Sequence, residues 1–133
     1  MTSEALAAAV GLSPTACQRR VKRLRERGAI AADIAVLSPD VISGRITVIV
    51  QVVMKHGSSA SVDTFKREMQ KVPEVQQCYY TTGDHDFLLI VTARDVAEYE
   101  QLTRRIFFEN PSISRFQTII VMDSVKVGLQ VPL

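Results

Sequence analysis

Hydrophobic positions change their period partway along the chain, and that change divides it. Residues Ser3 to Val10 (Ser-Glu-Ala-Leu-Ala-Ala-Ala-Val) are alanine-rich and predict a short helix with Ser3 as N-cap. Gly11 ends it, and Leu12 can tuck back onto it. Ser13-Pro14 opens a second helix, with Ser13 as N-cap and Pro14 at the first helical position, where a missing N–H costs nothing. This helix is expected to run to Arg27, with Gly28 supplying a left-handed cap. Cys17, Val21 and Leu24 are spaced four and three apart and form one inward stripe. Arg19, Arg20, Lys22 and Arg23 take the remaining faces. Two helices joined by a tight glycine-containing turn, the second one basic, make a helix-turn-helix signature. Ile30 to Leu37 then reads as an extended connector, and Ser38-Pro39-Asp40 as a break. The first module is therefore 1–40, with the boundary near Val41 to Gly44, and the second is 41–133.

The second module alternates strands and helices. Arg45 to Met54 is β-branched and predicts a strand. Ser61 to Val72 predicts a helix whose Val62, Phe65, Met69 and Val72 share a face, and Pro73 stops it. Val75 to Thr82 and Asp86 to Ala93 read as two strands joined at Gly83-Asp84-His85. A further helix starts at Asp95, with Glu98 three residues on as a capping box, and buries Tyr99, Leu102 and Ile106 before Asn110-Pro111. Phe116 to Met122 closes the series as a fourth strand. The order β-α-β-β-α-β is the ferredoxin-like split motif, which makes the chain α+β with a four-stranded antiparallel sheet.

In such a sheet both helices lie on one face, and the other is normally polar. Here both faces are apolar. Ile46, Val48, Val50, Val52 and Met54 oppose Ile49 and Val53; Phe87, Leu89 and Val91 oppose Leu88 and Ile90; Ile120 and Met122 oppose Ile119 and Val121. One face packs the helices, and a wet second face would be larger than monomers usually tolerate. The pattern predicts a homodimer formed sheet against sheet.

Composition narrows the classes. The chain has 133 residues, 47% of them hydrophobic and 23% charged, the balance of a globular protein. No apolar run reaches the ~18 residues of a membrane span, and Thr47 to Met54 is interrupted by Gln51. Met1 is followed by Thr2-Ser3-Glu4 without a basic, apolar leader, so no membrane partner and a cytoplasmic location are expected. Cys17 and Cys78 match neither a disulfide framework nor a zinc spacing and are expected to be small buried residues. No metal and no cofactor are expected. Net charge is only +2, but it is concentrated. Six basic residues face four acidic ones from Met1 to Gly44, against ten and ten beyond, and all six lie between Arg19 and Arg27. A neutral body with a basic segment suits a nucleic-acid-binding module on a separate domain.

Two sets of residues carry candidate chemistry. A helix-turn-helix lays its second helix in the major groove of double-stranded DNA, with N-terminal residues toward base edges. That places Ser13, Thr15, Gln18 and Arg19 nearest the bases and Arg20 and Arg23 toward phosphate. Gln can pair with adenine and Arg with guanine in bidentate fashion. An isolated basic run is equally a solvated helix face. At Gly83-Asp84-His85-Asp86, glycine offers unhindered backbone N–H groups for a carboxylate, and the Asp carboxylates suit an ammonium. A zwitterionic amino acid needs both, yet Gly and Asp are also ordinary turn residues. His56, in the His56-Gly57-Ser58-Ser59 loop, is expected to be solvated.

The stretch Val10-Gly11-Leu12-Ser13-Pro14-Thr15-Ala16-Cys17-Gln18-Arg19-Arg20-Val21-Lys22-Arg23-Leu24 resembles the turn and recognition helix of the Lrp/AsnC (feast/famine) regulators. Thr82-Gly83-Asp84-His85-Asp86-Phe87-Leu88-Leu89 resembles the Gly-Asp-x-Asp motif of that family's ligand-sensing RAM domain, and Val121 to Lys126 its ending. The resemblance implies a winged-helix-like DNA-binding segment followed by a RAM domain that senses an amino-acid effector around Thr82, Gly83, Asp84, His85 and Asp86 at a subunit interface. It also implies dimers that can assemble into octamers. His85 stands where relatives vary, so it either tunes effector choice or faces solvent. Family members carry a further helix in front, so a truncated, partial helix-turn-helix is expected here, with Leu6, Val10, Val21 and Leu24 short of one wall.

Two other functions compete. One is a stand-alone amino-acid-sensing module without effective DNA binding. The other is an enzyme, since some Lrp-like proteins resemble decarboxylases of haem biosynthesis. Two scattered histidines and the lack of any nucleophile–base set argue against catalysis.

Overall fold

The structure is a computed structural model and describes residues 1–56 and 59–132. The chain divides into two units, Met1–Ser38 and Pro39–Leu133.

The first unit is a helix pair. Helix α1 spans Ser3–Val10 and α2 spans Pro14–Glu26. The cap of α1 is Thr2 rather than Ser3: the Thr2 hydroxyl accepts from the Ala5 amide at 3.1 Å, and Ser3 is already helical. Ser13 caps α2 as expected, accepting from the Ala16 amide at 3.2 Å. At the far end Gly28 takes φ +74°, and two bonds close a Schellman motif, Ala29 N–H to Leu24 carbonyl and Gly28 N–H to Arg25 carbonyl. The following connector forms no strand, but Arg25 grips Asp33 through Nε and Nη2 at 2.9 and 3.0 Å. The Arg25 hydrogen bond holds the Asp33 carboxyl below its usual range. This contact therefore helps above the ordinary carboxylate range and fades as pH falls through it. Only Ala7 and Cys17 are buried here; Val10 is 53% exposed and Leu24 43%. The apolar stripe of α2 is real, and one side of it is open.

The second unit is the β-α-β-β-α-β fold. Strand β1 is Ile46–Met54, α3 is Ser59–Met69, β2 is Val75–Tyr80 and β3 is Phe87–Ala93. Helix α4, Val96–Thr103, runs on into a π-helical turn, Arg104–Phe108, and β4 is Ile113–Ile120. The strand order is β2-β3-β1-β4, every pair antiparallel. Gly57 and Ser58, part of the loop assigned from sequence, lie outside the described residues; His56 is exposed, as expected. Strand β4 starts earlier than its apolar run suggests, because Ile113 already pairs with Met54 while Ser114 and Arg115 between them point outward.

Alternation decides what is buried. Val48, Val50 and Val52 of β1 and Phe87, Leu89 and Val91 of β3 are fully buried under Phe65 and Met69 of α3 and under Tyr99 and Leu102 of α4. Phe65 meets Phe87 at 4.6 Å between ring centres, and Tyr80 meets Phe87 at 5.1 Å. The Asp95 carboxylate accepts from the Glu98 amide at 2.7 Å, and Glu98 reaches back to the Arg94 amide, the reciprocal cap expected for α4. The π turn widens the helix by one residue, which lets the neighbours Ile106 and Phe107 both turn inward. Cys17 is buried, but Cys78 is exposed, contrary to expectation, because β2 is an edge strand with little cover.

Phe65→Ala should lower stability by about 3–5 kcal/mol, read as a fall in the urea midpoint at constant m-value. A loss below ~1 kcal/mol would mean that α3 does not seat on the sheet through this ring.

Candidate functional site

The turn Thr82–Asp86 links the two strands that lie farthest from β4, yet it is tied to β1. The ladder of β1 and β3 ends at Val52 opposite Phe87. Beyond it the Asp86 amide donates to the Val52 carbonyl at 2.8 Å, and the Asp86 carboxylate accepts from the Met54 amide at 2.7 Å. Its carbonyl accepts from the Thr81 amide at 2.8 Å, and the Thr81 hydroxyl donates to the His85 carbonyl at 3.0 Å. One residue thus fastens the ends of β1, β2 and β3. Gly83 takes φ +99°, which favours glycine, with open space where a side chain would stand.

The five turn residues therefore separate. Asp84 and His85 lean over a concavity of about 460 Å³ on the helix-free face of the sheet, whose remaining wall includes Gln51, Val53, Arg115 and Gln117. Thr82 and Gly83 are exposed on the turn outside that lining, and Asp86 is partly buried with one carboxylate oxygen committed to β1. Asp84 is exposed and makes no side-chain hydrogen bond among the described residues. Gln51 lies opposite Gln117, and Val53 opposite Arg115, in the β1–β4 register. The concavity thus sets a guanidinium, two amides and an imidazole near a carboxylate. A ligand carrying both an anionic and a cationic group matches that donor and acceptor set.

Sequence reasoning missed Arg115, Gln51 and Gln117. A signal was present for Gln51 and Gln117, polar residues at outward positions of strands whose face is otherwise apolar. Around them the open face carries Ile49, Leu88 and Ile90, all partly exposed, and Ile119, exposed.

Every residue assigned to DNA lies exposed on α2 or its cap: Ser13, Thr15, Gln18, Arg19, Arg20 and Arg23. At 3.6 residues per turn, Thr15, Arg19 and Lys22 centre the face opposite Cys17. Gln18 and Arg23 sit on its shoulders. Arg20 lies about 60° from Cys17, beside the apolar stripe, and is the least outward of the set. Lys22, not among the assigned residues, faces outward with only a 3.9 Å pair to Glu26. Among the described residues no cluster of His, Cys, Asp or Glu could hold a metal, and no helix is long and apolar enough to cross a membrane.

Residues 47–131 match the Lrp/AsnC ligand binding domain, and residues 1–25 match the AsnC-type helix-turn-helix domain. An uncharacterised HTH-type transcriptional regulator of Sinorhizobium fredii is 51% identical over 133 residues, covering 100% of this chain and 79% of that protein. The leucine-responsive regulatory protein of Haemophilus influenzae is 36% identical over 117 residues, 88% of this chain and 70% of its own. Among solved structures, a transcriptional regulator of Neisseria meningitidis in complex with L-Met superposes with a TM-score of 0.87 at 25% identity, over 99% of this chain and 85% of that one.

Asp86→Ala should destabilise the ligand-free protein by about 1–3 kcal/mol, because it leaves the Met54 amide without an acceptor. Asp86→Asn, which keeps a carbonyl oxygen, should recover part of that loss. An unchanged unfolding midpoint for Asp86→Ala would contradict the fastening role.

Proposed function

The chain belongs to the Lrp/AsnC family of transcription regulators, and from that premise we propose that it binds double-stranded DNA through α2 and an α-amino acid in the concavity under Asp84. The observation that carries the effector reading is the pairing of unlike charges across one cavity. Asp84 is available to an α-ammonium and Arg115 to an α-carboxylate, with Gln51 and Gln117 between them as adaptable partners. The L-Met held by the Neisseria meningitidis relative supports an amino acid as the class. Thr82 and Gly83 shape the turn, His85 borders the ligand, and Asp86 keeps the turn in place. No catalytic role is assigned to any of these residues, and the site of action is the cytoplasm, where DNA and free amino acids meet.

Two copies meet through the helix-free sheet face. Ile49, Leu88, Ile90 and Ile119 form its apolar centre, and joining two such faces would remove that surface from water and roof the concavity. Assembly of such dimers into an octamer is the further step that the family resemblance suggests.

On DNA, Ser13, Thr15, Gln18 and Arg19 approach base edges, while Arg20 and Arg23 approach phosphates. Of these, Arg20 needs its side chain to swing outward from beside the apolar stripe.

A thermal-shift screen against the twenty amino acids at millimolar concentration should raise Tm for at least one of them. Arg115→Gln and Asp84→Asn should each abolish that rise while leaving the ligand-free Tm close to wild type, since both side chains are exposed. A shift that survives both substitutions would remove the ligand from this cavity.

Arg23→Ala should weaken binding to specific and random duplexes alike and lower the slope of log K against log salt by about one unit. A changed sequence preference at constant slope would reassign Arg23 to base contact.

A further inference from the structure

Gly28 turns the chain back on α2, and that reversal brings an acidic side chain onto the basic helix. Gly28 stands at φ +74°, and the Ala29 and Ile30 amides both donate to the Leu24 carbonyl. The connector then meets the last turn of α2 at Asp33, which takes Arg25 fork to fork. Nε donates to Oδ2 at 2.9 Å and Nη2 to Oδ1 at 3.0 Å. The two side chains are 52% and 65% exposed, and an ion pair in that much water adds little to stability. Its effect on charge is another matter, because both groups stand where a polyanion can reach them.

A helix in the major groove has a phosphate backbone along each flank. At 3.6 residues per turn, Gln18, Lys22 and Arg25 run down one shoulder of the outward face of α2. Arg19 and Arg23, four apart, run down toward the other. The ion pairs of this helix fall on the first shoulder alone. Lys22 lies 3.9 Å from Glu26, and Arg25 is matched by Asp33, whereas Arg19 and Arg23 form no ion pair among the described residues. Glu26 is an ordinary partner one turn on in the same helix, at long range. Asp33 comes from outside the helix, and it engages two of the Arg25 nitrogens.

We propose that Asp33 is an electrostatic brake on DNA binding: it withholds Arg25 from phosphate and confines the free cations of α2 to one flank of the groove. The proposal rests on the reading of α2 as the DNA-binding helix and adds a residue outside that helix which sets its affinity. Phosphate contacts carry no sequence information, so the brake acts on every duplex alike and leaves base reading to Gln18 and Arg19.

The test is the affinity of the whole chain for a specific and a random duplex, measured across a salt series. Wild type is compared with Asp33→Asn and with the double variant Arg25→Ala/Asp33→Asn. Asparagine keeps an oxygen that can accept from Arg25, so the local fold survives while the charge is lost, and far-UV dichroism checks α2 in each variant. Asp33→Asn should bind both duplexes several-fold more tightly at physiological salt, with log K against log salt steeper by about 0.9. The double variant, which carries the same net charge as wild type, should return to the wild-type slope. Weaker binding by Asp33→Asn, or loss of α2, would make the pair a purely structural tie and overturn the brake. Tighter binding at an unchanged slope would overturn the phosphate contact. A steep slope that persists in the double variant would mean that Arg25 takes no part. A wild-type chain that binds neither duplex at low salt would overturn the DNA reading itself, and the brake with it.

Discussion

A central strand with apolar side chains on both faces is the constraint from which the rest of this molecule follows. Val48, Val50 and Val52 of β1 are fully buried under α3 and α4, and Ile49 and Val53 point the other way from the same strand. The backbone cannot bring both sets under one layer of helices, because alternation assigns them to opposite sides. Two helices suffice to cover one face of a four-stranded sheet. The second face is left with Ile49, Leu88, Ile90 and Ile119 over the middle of the sheet, and this is where the candidate ligand cavity also lies. A surface that needs covering and a site that needs walls coincide, so covering the one completes the other.

The order of elements and the buried face were legible because period two is a strong signal in β1 and β3, whose burial alternates from Val48 to Met54 and from Phe87 to Ala93. Caps were legible where a side chain had a single geometric option, as at Ser13 and Asp95. They were misplaced by one residue at Thr2, where two adjacent hydroxyls compete and only backbone angles choose between them. The π turn at Arg104–Phe108 left no mark in the sequence, since a one-residue widening is set by how Ile106 and Phe107 find room against the sheet. The exposure of Cys78 followed from the position of β2 at the edge, which strand order decides and composition does not. Arg115 was hidden for a related reason: it lies in a part of β4 that has no apolar alternation of its own and is strand only because β1 pairs with it.

The two units differ in how their sequences are supported. The second has a continuous core of aromatic and branched residues from every element. The first has two well-capped helices and two buried residues, Ala7 and Cys17. Its order rests on local devices: the Ser13 cap, the Gly28 Schellman turn and the Arg25–Asp33 pair. Such devices contribute about 0.5–2 kcal/mol for a cap and less for an exposed ion pair, where burial of one large side chain gives about 1.5–3. The helix that carries the basic residues is thus positioned by its ends more than by its middle, and the partly exposed Leu24 and Val10 mark where burial would add most.

The motif Gly83-Asp84-His85-Asp86 places two carboxylates two residues apart, and the structure separates their work. Asp86 faces inward to the Met54 amide, where β1 outruns β3 and a backbone donor would otherwise go unmatched. Asp84 faces the cavity with its oxygens uncommitted among the described residues. These roles depend on each other. A turn presenting a charge to a ligand must hold its backbone still, or the charge is lost to solvent and the entropy of ordering falls on binding. Asp86 removes that cost beforehand by fastening three strand ends, and Gly83 supplies the positive φ that lets the chain reach Asp84 from there. Moved one position along, the anchoring carboxylate would stand where Phe87 is fully buried against Phe65, on the face away from the cavity, and would leave the Met54 amide bare.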